Sequence, residues 1–236
     1  MEKNETWNKE KYDIFINKLY EKADLGYVKF LSNLGINEEY IIGIRNPETK
    51  KITKEISQTD YISFINYNTH NTYEERMIHG LLLGYIKDDF STIQKLLRDY
   101  IKHIDNWALC DSTVANLHIW KKNVDDGYSF VEECLNSENI WSQRVGFILL
   151  LDYYINDEYI DIILKWCNNF KTEDYYVQMA IAWLISTCYI KYPEKTDKFL
   201  ENNKMSKWIQ NKSIQKIRES NRVLKEDKDK LLKWKK

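Results

Sequence analysis

Two side chains near the middle of the chain have types and a spacing suited to chemistry on a cationic group. Trp107 and Asp111 are four residues apart, so on an α-helix they lie about 40° apart on one face. The face of an indole ring attracts cations through its quadrupole, and the neighbouring carboxylate adds a negative charge. The pair therefore favours a cationic substrate and requires no metal ion. As alternatives, Trp107 is interpreted as a core side chain and Asp111 as a partner of the dipole at the start of its helix.

The histidines and glycines argue against several other classes of site. His70, His79, His103 and His118 show neither an HExxH motif nor the spacing of paired metal ligands. The chain also lacks a glycine-rich phosphate loop, a GxSxG elbow and the protein-kinase motifs. We therefore expect no metal site, no cofactor and none of the common nucleotide-using activities.

The elements that must position such a site are predicted to be helices. The 236 residues are 43% hydrophobic but include only 7 Gly and 2 Pro, too few for the turns of a sheet-rich protein. Apolar residues recur at helical spacing almost throughout. Pro47 and the capping box of Thr72 and Glu75 mark two helix starts. The predicted helices cover 7–22, a segment from 46, a segment from 72, 89–103, 106–122, 126–136, 139–155, 157–169, 173–191, 194–202, 207–220 and 225–235.

Short polar loops between these helices predict that neighbours in sequence pack antiparallel. From about Asp88 onward the helices pair with a period of about 35–45 residues, within the range of HEAT-like repeats. The predicted fold class is all-α, an α-α superhelix in the form of an irregular HEAT-like repeat solenoid. Because no linker or low-complexity segment interrupts the chain, residues 1–236 are predicted to form a single curved domain, and we expect a monomer.

Charge is distributed unevenly along the chain. The whole chain has a net charge of −1, yet residues 202–236 hold 12 Lys or Arg and only 4 Asp or Glu. A long stacked protein can carry a basic face beside an acidic one, so the net charge does not exclude DNA. Lys212, Lys216, Arg218 and Arg222 recur in this basic segment and are predicted to share one helical face. That pattern suits contacts with phosphates, although a solvated surface is an equal interpretation.

The cysteines and the N-terminal segment favour the cytoplasm. Cys110, Cys134, Cys167 and Cys188 are widely spaced and form no CxxC pair, which is typical of free thiols in a reducing compartment. The start, MEKNETWNKEKYD, has no apolar signal core, and no stretch approaches about 18 uninterrupted apolar residues. We therefore expect a soluble cytoplasmic protein that does not enter a membrane.

Five segments carry a resemblance to a known family. The most specific are 106–112 (NWALCDS), 140–144 (IWSQR) and 175–183 (YYVQMAIAW). Their order and spacing resemble the DNA alkylation repair enzymes, the HEAT-like repeat alkylpurine DNA glycosylases. Two further segments are similar to that family: GIRNP, which precedes the helical stretch KKITKEI, and NKSIQKIRES near the end. The resemblance therefore covers roughly residues 35–224. The sequence departs from the family pattern between Val114 and Asn123.

The resemblance implies that Trp107, Asp111 and Trp183 are catalytic residues in a concave DNA-binding cleft. The Trp side chains would contact the lesion nucleotide and Asp111 would support bond cleavage, while Arg144 would meet the DNA backbone. Arg144 has an alternative interpretation, in which it pairs with a buried acid such as Asp152. Core packing is the alternative for Trp107 and Trp183, and it is the preferred interpretation for Trp141, Trp166 and Trp208.

The chemistry implied by the resemblance agrees with the pairing of an aromatic ring and a carboxylate. A purine alkylated at N3 or N7 is cationic and already a good leaving group, and bond cleavage moves charge to the sugar as an oxocarbenium ion. A fixed carboxylate stabilises that cation and positions water. The resemblance thus implies a monofunctional DNA glycosylase that acts on alkylated bases in double-stranded DNA and is associated with the nucleoid. The alternatives are a non-catalytic DNA-binding relative and a protein-binding α-solenoid scaffold.

Overall fold

The computed structural model describes residues 5–236, which form α-helices joined by short loops and 3₁₀ turns. No residue in that range lies in a β-strand, so the all-α prediction is confirmed. Residues 1–4, part of the segment that lacks a signal core, lie outside the described residues. The α-helices are α1 (Lys9–Tyr20), α2 (Leu25–Asn33), α3 (Asn46–Ile56), α4 (Tyr61–Tyr67), α5 (Tyr73–Leu82), α6 (Phe90–Tyr100), α7 (Trp107–Asn116), α8 (Val124–Leu135), α9 (Ile140–Tyr153), α10 (Ile160–Asn169), α11 (Tyr175–Lys191), α12 (Pro193–Glu201), α13 (Lys207–Glu219) and α14 (Lys225–Lys230).

Many helices begin where a polar side chain caps them. The capping box is confirmed, because Thr72 Oγ1 accepts the N–H of Glu75 at 3.2 Å and Glu75 Oε2 accepts the N–H of Thr72 at 2.8 Å. Pro47 lies in the first turn of α3, as predicted. Each cap satisfies a backbone donor that the first turn of a helix otherwise leaves without a partner. The same role belongs to Asn106 for α7, Asn139 for α9, Asp174 for α11 and Ser206 for α13.

The chain leaves the helical path after Asn116, where the sequence predicts one helix over 106–122. Leu117 has φ −77° and ψ 58°, outside the α-helical region, and a 3₁₀ turn follows over His118–Lys122. Trp120 in this turn is fully buried, and its indole N–H donates to Tyr154 Oη at 3.0 Å. The prediction of a continuous helix is wrong because this buried contact, 34 residues along the chain, sets the path of the backbone.

The chain divides into two compact units, residues 1–119 and 120–236. In the first unit α5 packs against both α3 and α7. In the second unit α11 packs against both α9 and α13, and α8 packs against α9. Within each unit, helices that are two positions apart in the chain, such as α3 and α5 or α9 and α11, pack against each other. This is the arrangement of an α-α superhelix, so the predicted fold class is confirmed. That residues 1–236 form a single domain stays a prediction.

Helices α9 and α11 supply much of the core of the second unit. Phe147, Leu150, Ile181 and Leu184 have no exposed surface, which suits helices that are apolar around most of their circumference. Burial raises the pKa of the Cys188 thiol to about 12, so this thiol stays protonated. As predicted, the cysteines form no disulfide, and all of them are buried: Cys110, Cys134, Cys167 and Cys188.

A buried carboxylate fixes the segment that precedes α3. Glu74 is 1% exposed and accepts the backbone N–H groups of Ile42 at 2.8 Å, Gly43 at 2.7 Å and Ile44 at 3.0 Å. Gly43 has φ +103°, and a Cβ at this position would lie 2.7 Å from the carbonyl oxygen of Asp24. Only glycine adopts this positive φ and tolerates the close Asp24 carbonyl without strain, which explains why the GIRNP segment begins with glycine.

Candidate functional site

Helix α7 presents Trp107 and Asp111 together on its accessible side. Trp107 is the first residue of the helix, and its indole N–H donates to the carbonyl oxygen of Leu34 at 3.3 Å. Both Trp107 and Asp111 are half-buried, whereas Leu109, Cys110 and the rest of the opposite side are buried. Neither side chain is therefore a core residue. Asp111 is the fifth residue of α7, beyond the first turn in which the helix dipole acts most strongly on a charge.

Trp183 is exposed in the middle of the most apolar helix of the second unit. Its side chain is 40% accessible, although its neighbours Ala182 and Leu184 are fully buried. Because burial of apolar surface stabilises a fold, an indole ring that stays this exposed forgoes part of that stabilisation. The core interpretation of Trp183 is thus wrong, and the ring lies on the surface of its unit.

Arg144 is buried on α9. It is 5% exposed, and its Nη1 donates to the carbonyl oxygen of Tyr176 at 2.6 Å. Asp152 is exposed rather than buried, and its pairing with Arg144 stays an alternative interpretation. The bond from Nη1 to this main-chain carbonyl, in the first turn of α11, helps to orient the guanidinium.

The basic residues near the end of the chain divide between two settings. Lys212 and Arg218 line a groove of about 880 Å³ along the exposed side of α13, together with Lys207, Trp208, Asn211, Gln215, Glu219 and Lys235. Lys216 is half-buried on α13 and does not line this groove. Arg222 lies beyond the end of α13 at Glu219, in the loop before α14. The prediction that Lys212, Lys216, Arg218 and Arg222 share one helical face is wrong, because α13 ends at Glu219, before Arg222, and because Lys216 lies outside the groove that Lys212 and Arg218 line.

An aromatic residue opens each of α5, α7, α9, α11 and α13, which we call the stacked helices because each packs against another member of the set within its own unit. These helices begin every 32–35 residues, so the repeat is shorter than the predicted 35–45 residues. The aromatic residue is the first or second of its helix in each case. Trp208 belongs to this set and is 36% exposed, so its assignment to the core is wrong. The set comprises Tyr73, Trp107, Trp141, Tyr175 and Trp208, at intervals of 34, 34, 34 and 33 residues.

In the second unit, Trp141, Tyr175 and Trp208 are connected by ring contacts in a row that also includes Tyr176. The ring centroids of Trp141 and Tyr176 are 5.1 Å apart, those of Tyr176 and Tyr175 5.4 Å, and those of Tyr175 and Trp208 5.8 Å. Tyr175 is 56% exposed, and Lys212 Nζ lies 5.6 Å from the ring centroid of Trp208. We call this series the aromatic row.

A histidine cluster that the sequence motifs do not reveal lies in the first unit. The rings of His70 and His103 stack at 3.6 Å between centroids, and His70 Nε2 lies 2.7 Å from His79 Nδ1. Burial lowers the pKa of His79 to about 3 and that of His70 to about 4, so both are neutral near pH 7. Among the described residues no group of three or more His, Cys, Asp or Glu side chains is arranged to hold a metal ion.

Comparison with known protein families identifies a match. A family model described as DNA alkylation repair enzyme matches residues 15–217, which is most of the chain. The sequence matches no individual curated protein. Within residues 5–236 no helix is both long enough and apolar enough to cross a membrane.

Proposed function

Because the chain belongs to the DNA alkylation repair enzyme family, we propose that it hydrolyses the N-glycosidic bond of purines alkylated at N3 or N7 in double-stranded DNA. In this proposal it is a monomeric, monofunctional DNA glycosylase that needs no cofactor, acts on the nucleoid, and binds DNA with residues 1–236 as one domain. The observation that carries the proposal is the half-buried pair of Trp107 and Asp111 on one side of α7.

The proposed reaction begins with a base that already carries a positive charge. Its C1′–N bond breaks, the electron pair of that bond neutralises the base, and the sugar becomes an oxocarbenium ion. The carboxylate of Asp111 stabilises this cation and accepts a hydrogen bond from water, whose oxygen then bonds to C1′ and whose proton leaves to solvent. The indole faces of Trp107 and Trp183 attract the cationic base before the bond breaks.

Contacts with the DNA backbone complete the proposal. Arg144 meets a phosphate, with its guanidinium oriented by the bond from Nη1 to the Tyr176 carbonyl. Lys212, Lys216, Arg218 and Arg222 add phosphate contacts, Lys212 and Arg218 from the groove on α13.

Release of 7-methylguanine from duplex DNA tests the proposal. Asp111→Asn keeps the shape of the side chain and removes its charge, so we expect excision to slow by a factor on the order of 10²–10³. Trp107→Ala and Trp183→Ala should also slow excision, more strongly for cationic lesions than for any neutral lesion the enzyme accepts. Binding of undamaged duplex by Asp111→Asn should be unchanged or slightly tighter, because a negative charge near phosphates is lost.

Asp126→Asn is the matched control, since Asp126 lies in the first turn of α8 and is exposed. A carboxylate with only a helix-dipole role contributes roughly 0.3–1 kcal/mol of stability and nothing to catalysis. Full excision activity in a folded Asp111→Asn variant would show that Asp111 has no catalytic role. Absence of base release by the wild-type protein would instead favour a DNA-binding relative without catalysis.

A further inference from the structure

The groove on α13 combines cationic side chains with an exposed aromatic ring. Lys207, Lys212, Arg218 and Lys235 line it, and Glu219 is the acidic residue among its lining side chains. Glu219 Oε1 accepts a hydrogen bond from Gln215 at 2.7 Å, and Arg218 Nη2 lies 3.9 Å from Asp229. Positive charge thus prevails in the groove, which is complementary to an anionic chain.

Trp208 links this groove to the aromatic row. The ring lies among the groove's lining residues and also contacts Tyr175, which is itself 56% exposed. Exposed aromatic rings beside a cationic groove are the combination with which proteins hold unpaired nucleic-acid strands, since each base stacks on a ring while lysines and arginines follow the phosphates. A lysine-rich solvated surface does not require the aromatic part of this arrangement.

Lys212 can exchange its contact with the Trp208 ring for a contact with a phosphate. Its Nζ lies 5.6 Å from the centroid of Trp208 and 2.9 Å from Gln215 Oε1, so the ammonium interacts with a ring and an amide rather than with a carboxylate at these contacts. A base that stacks on Trp208 takes the place of the ammonium over the ring, and the ammonium is then within reach of the phosphate of the same nucleotide. Stacking of the base on Trp208 and binding of the phosphate by Lys212 can therefore occur without breaking an ion pair at these contacts of Nζ.

We propose that the groove on α13 binds an unpaired DNA strand, with Trp208 as the stacking platform for a base and with Lys207, Lys212, Arg218 and Lys235 as phosphate contacts. The strand is unpaired because a base within a duplex has both faces covered by its neighbours and cannot stack on a side chain. This site shares Lys212 and Arg218 with the duplex contacts proposed above, but stacking on Trp208 takes no part in base excision, so the site holds whether or not the protein removes alkylated purines.

Fluorescence anisotropy of the full chain with a labelled oligothymidylate, and separately with a labelled hairpin duplex, tests the proposal. Thymidylate contains no purine and forms no self-paired structure, so the result is independent of excision. Trp208→Ala should weaken oligothymidylate binding by about tenfold, within the range for loss of one stacked base, and should leave hairpin binding unchanged. Trp208→Tyr should restore most of the affinity because it restores an aromatic face.

The phosphate contacts have their own measurement. Lys212→Met keeps most of the apolar stem and removes the charge, so the log–log dependence of oligothymidylate affinity on salt should become shallower by about 0.7. Lys198→Met on α12 is the matched control, because Lys198 is exposed and does not line the groove. Equal losses of oligothymidylate and hairpin binding in Trp208→Ala would overturn the proposal, as would a wild-type salt dependence in Lys212→Met.

Discussion

Replacement of Gly43 by alanine provides a sharp test of how the segment before α3 is held. Gly43 has φ +103°, and its N–H donates to the buried Glu74 while its carbonyl accepts from the N–H of Asp24 at 3.1 Å. A Cβ at this position would lie 2.7 Å from the Asp24 carbonyl oxygen and 2.8 Å from Val28 Cγ2. The alanine therefore meets backbone that is itself fixed by hydrogen bonds.

Two costs combine at this position. A left-handed backbone conformation costs an alanine roughly 1–2 kcal/mol relative to glycine. Overpacking against a surface that cannot relax adds about 1–3 kcal/mol, so the loss for Gly43→Ala should be about 2–5 kcal/mol. A loss of that size is a large share of the roughly 5–15 kcal/mol by which a domain is stable.

Gly35→Ala separates the two costs. Gly35 also has a positive φ, +86°, but no atom lies within 4 Å of a Cβ built there. Its replacement should cost only the roughly 1–2 kcal/mol of the conformational strain. The free energy of unfolding from urea titrations of both variants gives the comparison. Equal losses in Gly43→Ala and Gly35→Ala would refute the argument that close packing at Asp24 requires the glycine.

Three further predictions follow from contacts of buried charged or titratable groups. Glu74→Ala leaves three buried N–H groups without an acceptor, so the free energy of unfolding should fall by at least about 3 kcal/mol in urea titrations, and a loss near zero would contradict the role of this carboxylate. Burial lowers the pKa of His79 to about 3, so unfolding takes up a proton below the ordinary pKa of about 6.5. The stability contributed by the neutral His79 ring is complete above that pH and falls by roughly 2 kcal/mol by pH 5. In urea titrations at pH 7 and pH 5, His79→Gln should reduce the loss of stability by that amount and leave the separate loss from His70, whose pKa burial also lowers, whereas an unchanged loss would contradict the assignment. Arg144→Ala should weaken duplex binding on every sequence and make its log–log salt dependence shallower by about 0.9, and a wild-type salt dependence in a folded variant would exclude a phosphate contact.

The helical architecture was predictable because its signals are local. The Thr72 and Glu75 capping box and Pro47 in the first turn of α3 both act within a few residues, and both occur as predicted. Helix α11 over Tyr175–Lys191 closely matches the predicted 173–191, because a capping Asp and a proline mark the two ends of its long apolar segment. Helices α2 and α4 are short and were not predicted.

The errors arise where a distant contact decides the outcome. The end of α7 depends on Trp120, whose burial against Tyr154 cannot be inferred from the helical pattern of 106–122. Trp208 was assigned to the core from its residue type, but the buried side of α13 is formed by Ile209, Ile214 and Ile217, which leaves the indole outside. A signal for the repeat was present in the sequence, in the aromatic residues spaced by 33 or 34 positions.

The residue one turn after each of these aromatic side chains distinguishes one stacked helix from another. Asp111 follows Trp107 in α7, whereas Lys212 follows Trp208 in α13. Because an indole ring attracts both cations and planar bases, the charge of this second residue decides which ligand the pair favours. A carboxylate suits a cationic base, and an ammonium suits a base that is attached to a phosphate. In the other stacked helices of the described chain the corresponding residue is apolar: Met77 in α5, Val145 in α9 and Met179 in α11.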